Sequence, residues 1–306
     1  MRCRSFDRAM RERFGCKIYK LSLDAGFGCP NRDGTIGTRG CSFCSARGSG
    51  EFAANGYLPL GEQLAAAKRR VAHKNPGGKY VAYFQSYTNT YAPPDRLRAL
   101  FSAAIDPEDI VALDVATRPD CLGPEVLAVL AELAERKPLW VELGLQTIFP
   151  ETARAIRRGY ELPVFDRAVR DLHDIGAEVI VHQILGLPGE TPEMMTQTAR
   201  YIAETGAEGI KLHLLHILDN ADLYQDYLAG RVRVMEQEEY FAALSGCLRV
   251  LRPDMVIHRL TGDGDKRHLA APLWSADKKR VLNDMNRYFE ANDVRQGSEW
   301  LSNKNT

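Results

Sequence analysis

The feature that most constrains the fold is a repeated alternation of short apolar, β-branched runs with longer amphipathic segments. Candidate strands occupy residues 17–23, 80–85, 110–116, 139–145, 179–185 and 209–215. Helical patterns lie between them near 60–73, 94–105, 123–136, 163–175 and 191–205. "DRLRALFSAAI" and "PEVLAVLAELAE" place apolar residues three and four apart, the spacing a helix buries on one side. Six strand–helix units predict an α/β chain with a parallel sheet under covering helices. Such a sheet would curl into an open, partial (β/α)6 TIM-like barrel spanning residues 1–216. From about 217 the pattern changes. "EQEEYFAALSGCLRVL" reads as a helix, "MVIHRL" as a short strand and "SADKKRVLNDMNRYFEAN" as a last amphipathic helix. Residues 217–306 therefore read as a C-terminal α/β extension packing on the barrel. Its final stretch, "QGSEWLSNKNT", is polar and reads as frayed.

Apolar residues make up 45% of the chain and charged residues 26%, the balance of a soluble globular protein. Formal net charge is zero, but residues 1–20 carry a local net of +5. A second basic run, Lys68-Arg69-Arg70 with Lys74 and Lys79, follows. No apolar run approaches the roughly 20 residues that span a bilayer. The basic N-terminus has no apolar segment behind it, so it does not read as a secretory signal. The expected location is the cytoplasm. Thiols there stay reduced, so close cysteines read as metal ligands or redox groups before disulfides.

Cys29, Cys41 and Cys44 are spaced C-x11-C-x2-C directly after the first candidate strand. In α/β barrels the loops after strands carry the chemistry. Three thiols with no fourth nearby is the informative count. A structural zinc takes four ligands in a closed shell, whereas an iron–sulfur cubane held by three cysteines leaves one iron open. A zinc site completed by a distant His, or unliganded thiols, stand as the alternatives. Cys3, Cys16, Cys121 and Cys247 are scattered, with Cys121 in the loop after the third strand. His213 and His216, three apart, are expected on opposite strand faces and do not read as a metal pair.

The segments "KLSLDAGFGCPNRDGTIGTRGCSFC", "YFQSYTNTYAP", "TRPDCL", "VELGLQTIFPETARAIRRGY", "ILGLPGET", "KLHLLHIL" and "RLTGDG…LAAPLW" run in order along most of the chain. With the cysteine loop they resemble the radical S-adenosylmethionine (SAM) superfamily, in particular its YhcC/YtqA-type members. These are related to the elongator catalytic subunit and, more distantly, to the oxygen-independent coproporphyrinogen oxidase. The usual superfamily spacing is C-x3-C-x2-C, and a long first gap is a feature of the elongator-like branch.

The resemblance implies a [4Fe–4S] cluster on Cys29, Cys41 and Cys44, with SAM on the open iron. Reductive cleavage of SAM would give methionine and a deoxyadenosyl radical that takes a hydrogen atom from the substrate. By the same resemblance Phe43 lies near adenine. Ser86 and Thr88 in "QSYTNT" stand where relatives have a Gly-rich turn for the SAM amino group. Gln146 points toward the ribose, and His182 aligns with an acidic ribose-binding position. Arg158 takes the place of an Arg that pairs with the SAM carboxylate. Gly186 of "GLPGET" belongs to a wall against adenine. Arg118 of "TRPD" faces SAM or substrate anions, or braces its loop.

A relative in this subfamily acts on the carbon-five side chain of the tRNA wobble uridine, converting carboxymethylaminomethyl to aminomethyl groups. The expected substrate is accordingly tRNA, although this sequence has no acetyltransferase domain. The alternatives are radical chemistry on a small molecule or peptide, and a non-catalytic metal-containing protein that binds RNA. A reducing partner such as flavodoxin or ferredoxin is implied. Phosphate contacts are expected first from the basic N-terminal segment and next from the Lys68–Lys79 region.

Overall fold

The computed structural model describes residues 2–48, 50, 53–54, 56–75, 77–262 and 264–300. Seven parallel strands form one curled sheet in the order β1-β2-β3-β4-β5-β6-β8. They are β1 (Tyr19–Leu23), β2 (Tyr80–Phe84), β3 (Ile110–Thr117), β4 (Leu139–Gln146), β5 (Glu178–Leu185), β6 (Gly209–Leu214) and β8 (Val256–Arg259). The helices are α1 (Phe6–Phe14), α2 (Leu60–Val71), α3 (Pro94–Ile105), α4 (Pro124–Ala134), α5 (Pro150–Ala155), α6 (Leu162–Asp174), α7 (Pro192–Glu204), α8 (Leu223–Leu228), α9 (Gln237–Val250) and α10 (Lys278–Ala291). A small antiparallel ribbon pairs β7 (Ile217–Leu218) with β9 (Leu269–Ala271).

The sequence suggests six barrel strands, and the structure has a seventh. "MVIHRL" supplies β8, which pairs in parallel with β6. Residues beyond 216 thus extend the barrel sheet itself. The tail also differs from expectation. Gln296 donates from its amide side chain to the carbonyls of Arg252 and Met255 at 2.7 and 2.8 Å, and Trp300 packs against the core. Those bonds hold the chain through residue 300; the rest of the expected frayed segment, 301–306, lies outside the described residues.

Strand alternation sorts the side chains into two environments. Leu21, Leu23, Phe84, Leu113, Val115, Val141, Leu143 and Leu212 face outward and join the main apolar core under the helices. The inward face is layered. At the N-terminal end of the strands, Ile18, Val81, Ala112, Trp140 and Ile180 form a separate apolar cluster. Helix α1 seals it with Ala9 and Met10, and the Phe6 ring meets Trp140 edge-on at 6.0 Å. Ser5 caps α1 by accepting from the Arg8 N–H, and Gly15 ends it at φ 75°.

This places the basic N-terminal segment at the end of the barrel opposite the loops that follow the strands. Its arginines are also paired: Arg4 and Arg8 on Glu12, Arg11 on Asp7, Arg13 on Glu178 and Arg2 on Asp293. The expectation that this segment supplies the first phosphate contacts is therefore corrected: α1 is a plug under the barrel floor. In the second basic run, Lys68 pairs with Asp109 at 2.6 Å. No helix among the described residues is long and apolar enough to cross a membrane.

Candidate active site

The cysteine loop explains its own unusual spacing. After Cys29 the chain makes a turn in which Arg32 N–H donates to Cys29 O at 2.8 Å. Ile36 and Gly37 then fold back on Pro30 O, and Gly40 N–H closes on Asn31 O at 2.7 Å. Residues 32–39 are thereby looped out. Along the short path only Pro30, Asn31 and Gly40 separate Cys29 from Cys41, three residues, as in the short-gap superfamily pattern. Gly40 sits at φ 72°, and a Cβ there would meet the Arg32 side chain at 2.8 Å, so the crossing favours glycine. Asn31 pins the crossing by donating to Arg157 O at 2.7 Å, with Cys41 Sγ at 3.6 Å. Arg32 donates to the carbonyls of Cys44 and Ser45, and Cys44 N–H to Cys41 O.

All three thiols open into one cavity of about 750 Å³ that descends through the barrel. Burial, with Cys44 and Cys29 close by, pushes the Cys41 thiol up to about 12. Phe43, Thr88, Arg118, Gln146, Arg158 and His182 also line this cavity. Phe43 packs on the cluster of Ile156, Ile184, Leu187 and Leu215. Gln146 holds φ 69° at a register shift between β4 and β5, a strained backbone for a non-glycine residue at a cavity wall. Thr88 N–H is held by Gly28 O, and Arg118 is paired bidentately with Asp120.

Three expected contacts are placed differently. Arg158 is 2% exposed, and its guanidinium donates to the carbonyls of Leu145, Thr147 and, twice, Tyr160. Four of its five N–H groups are used, so it braces the turn after β4 and cannot offer a bidentate fork to a carboxylate. Ser86 is buried off the cavity wall, its hydroxyl turned toward Gly50. Gly186, also off the wall, packs against Met235 and Leu215 at φ 87°, so it serves a tight turn. Conversely, His213 and His216 both line the cavity, because β6 ends at Leu214 and the chain turns before His216.

Sequence reasoning missed the middle of the barrel. Glu142 on β4 is fully buried and collects four donors. Lys20 Nζ reaches Oε1 at 2.9 Å; Tyr83 OH, His182 Nε2 and Lys211 Nζ reach Oε2 at 2.7, 2.9 and 2.5 Å. Lys20 also pairs with buried Asp114, and its Nζ lies 3.3 Å from His258 Nδ1. Burial works against ionising Glu142, but Lys20 and Lys211 hold its carboxyl well below the usual range. Burial and the Glu142 charge push Asp114 up to about 7, and burial brings Lys211 down to about 8. A usable signal existed: "YKLSL", "IVALDVAT", "WVELGL" and "GIKLHL" each carry one charged residue within an apolar strand.

The family profile described as the Radical SAM superfamily matches residues 27–202, and that of the Radical SAM C-terminal domain matches 207–291. The chain belongs to the radical SAM superfamily. Protein YtqA of Bacillus subtilis (strain 168) is 43% identical over 288 residues, covering 94% of this chain and 89% of that protein. Protein YhcC of Escherichia coli (strain K12) is 36% identical over 300 residues, covering 97% and 96%. A shorter match of 138 residues, 28% identical, covers 44% of this chain and 25% of a Methanocaldococcus jannaschii tRNA uridine(34) acetyltransferase. Among solved structures, Elp3 of Methanocaldococcus infernus superposes with a TM-score of 0.66 at 16% identity, covering 94% of this chain and 68% of that one. That last likeness shows the shared fold.

Membership in the superfamily indicates a [4Fe–4S] cluster and SAM as the cofactors of this enzyme. The cysteine loop fits the cluster. Three thiols in one cavity, in a chain of this family, supply the three-cysteine donor set that leaves one iron of a cubane open. When bound, the cluster and SAM supply one-electron cleavage and a carbon-centred hydrogen-atom abstractor. Cys29, Cys41 and Cys44 would hold the cluster, and Phe43 and Ile184 give the same cavity an apolar wall.

Proposed function

We propose that this enzyme carries out radical chemistry on the carbon-five side chain of the tRNA wobble uridine. The observation that carries the reading is the match to a tRNA uridine(34) acetyltransferase, seated on a barrel whose cavity continues below the cysteine loop. A base presented on an anticodon loop can be splayed out of its stack and enter such a cavity. Phe43, Thr88 and Gln146 are the proposed SAM contacts, with His182 beneath them; Arg158 braces the turn after β4 that carries Gln146. A flavodoxin- or ferredoxin-like protein would supply the electron. With the basic N-terminal segment at the far end of the barrel, tRNA would approach from the loop side, where Arg47 follows the cysteine loop.

The test is mass spectrometry of tRNA nucleosides from a strain lacking the gene, complemented with wild type or with Cys41→Ala. The expected result is an altered wobble-uridine derivative that only the wild type restores. An unchanged nucleoside profile would move the substrate to a small molecule or peptide.

A further inference from the structure

Arg32 is a cation beside the cysteines that pairs with no carboxylate among the described residues. It is the first residue looped out between Cys29 and Cys41, yet its side chain turns back beneath the crossing. Gly40 leaves the room: a Cβ there would meet Arg32 Nε at 2.8 Å and Cζ at 3.1 Å. Nη2 then donates to Cys44 O at 3.2 Å and to Ser45 O at 2.6 Å. The guanidinium therefore stands against the residue that carries the third thiol, and it lines the same cavity as all three cysteines. Arg118 also acts on Cys41, but Asp120 neutralises it through two hydrogen bonds.

Tyr87 closes the other side of this cation. Its ring centroid lies 5.7 Å from Arg32 Cζ. Its N–H donates to Gly48 O at 3.0 Å and its hydroxyl to Ala46 O at 2.6 Å. The ring covers Gly48 so closely that a Cβ there would come within 2.3 Å of it. Tyr87 holds φ 56°, a costly backbone for a bulky residue, kept because these contacts over-determine it. The other charges acting on Tyr87 are Asp24 and Arg47. Asp24 accepts from Gly26 N–H at 2.8 Å and makes no pair with Arg32.

An iron–sulfur cluster gains one negative charge on reduction, and its potential follows the net charge, hydrogen bonds and exposure around it. A fixed cation in a part-buried wall favours the more negative form, and it is screened far less than in water. We infer that Arg32 eases one-electron reduction of the cluster on Cys29, Cys41 and Cys44, and that Tyr87 is the positioning residue that holds Arg32 there. The electron comes from a low-potential flavin or iron–sulfur protein. No bond or proton changes at Arg32; its charge raises the potential at which the cluster accepts the electron. The inference stands whichever substrate the cavity receives, and its test uses none.

The test is a dithionite redox titration of the anaerobically purified full-length chain, without SAM or tRNA, followed by the paramagnetic resonance signal of the reduced cluster. Iron content and thermal melting are measured on the same samples. Arg32→Gln keeps a donor for the Cys44 and Ser45 carbonyls and removes the charge. It should keep its iron, and its midpoint should fall by about 59 mV, a tenfold loss in the ratio of reduced to oxidised cluster at a fixed poise. Arg32→Lys keeps the charge and should stay near wild type. Tyr87→Leu should lower the midpoint by less than Arg32→Gln, since the carbonyl bonds of Arg32 remain. Asp120→Asn uncovers the charge of Arg118 and should raise the midpoint. A merely structural role would change iron content and melting and leave the midpoint of the retained cluster where it was. An iron-replete Arg32→Gln with a wild-type midpoint, or an Arg32→Lys that falls as far as Arg32→Gln, would overturn the assignment. If Arg32→Gln does not keep its iron, Tyr87→Leu decides: a wild-type midpoint in that variant would overturn it equally.

Discussion

Two neighbouring layers of the same barrel, built by the same strands, differ in almost every physical respect. The lower layer of Ile18, Val81, Ala112, Trp140 and Ile180 is apolar and closed by α1. The layer above it, reached by moving two residues along each strand, holds Lys20, Tyr83, Asp114, Glu142, His182 and Lys211. The first contributes hydrophobic and dispersion energy in the ordinary way. The second removes four formal charges from water, and its ion pairs offset that cost only while every partner is present. The contrast teaches where stability and function divide. A chain needing only a stable barrel could continue the apolar packing upward. Retaining a charged layer knit together through Glu142 beneath the cysteine loop is costly enough to imply a use for it.

The largest expected effect lies above both layers. Anaerobically purified wild type should carry about four irons per chain on its three thiolates, and Cys29→Ala, Cys41→Ala or Cys44→Ala should abolish the cluster, read by iron content and visible absorption. A variant chain with full iron would show that the looped-out spacing does not present these thiols as ligands.

Next come the two layers themselves. Trp140→Ala should cost about 3–5 kcal/mol by opening a cavity under α1. Glu142→Leu should cost about as much, ~3–5 kcal/mol, by leaving two lysines buried without their shared carboxylate. Urea unfolding measures both, and a control separates the causes. Replacing Lys20 and Asp114 together by Met and Leu removes a pair of opposite charges and should be near neutral, within about 1–2 kcal/mol. No refilling of the Trp140 site by a smaller apolar residue should be neutral in that way. A harmless Glu142→Leu would break the comparison, because the charged layer would then stand without mutual dependence.

A smaller effect is expected at the turn before α7. Burial pushes Glu190 up to about 7, with Thr147 Oγ1 donating to it and Oε2 left without a partner. A raised folded value means the native state holds the proton more tightly. The resulting stability is present below the unfolded value near 4.5 and is lost as pH rises through about 7. Glu190→Gln should therefore flatten the wild-type fall in urea midpoint across that window. An identical pH slope in both proteins would show that Glu190 titrates normally.

The smallest effect should come from the charges of α1. Arg8→Ala and Arg11→Ala each remove an exposed ion pair worth about 0.3–0.5 kcal/mol. On the proposed tRNA reading neither should change tRNA affinity, since the helix lies under the floor and away from the loop face. A clear loss of salt-sensitive tRNA binding in this double variant would return the N-terminal segment to the binding surface.

The sequence by itself determined the βα succession, the outward apolar rows and the presence of three thiols after β1. These depend on periodicity and close spacing, which neighbouring residues set locally. It could not show that residues 32–39 loop out, since that rests on Gly40 meeting Asn31. Nor could it show that Arg158 spends its donors on carbonyls, because an arginine at a given spacing looks the same whether its fork is used or open. The basic N-terminal run looked like a polyanion site until packing turned Ala9 and Met10 inward and paired the arginines. Only the tertiary structure decided the charged layer. Lys20 and Glu142 are 122 residues apart and meet because the sheet curls, bringing side chains from β1 and β4 into one buried space where each charge needs the other.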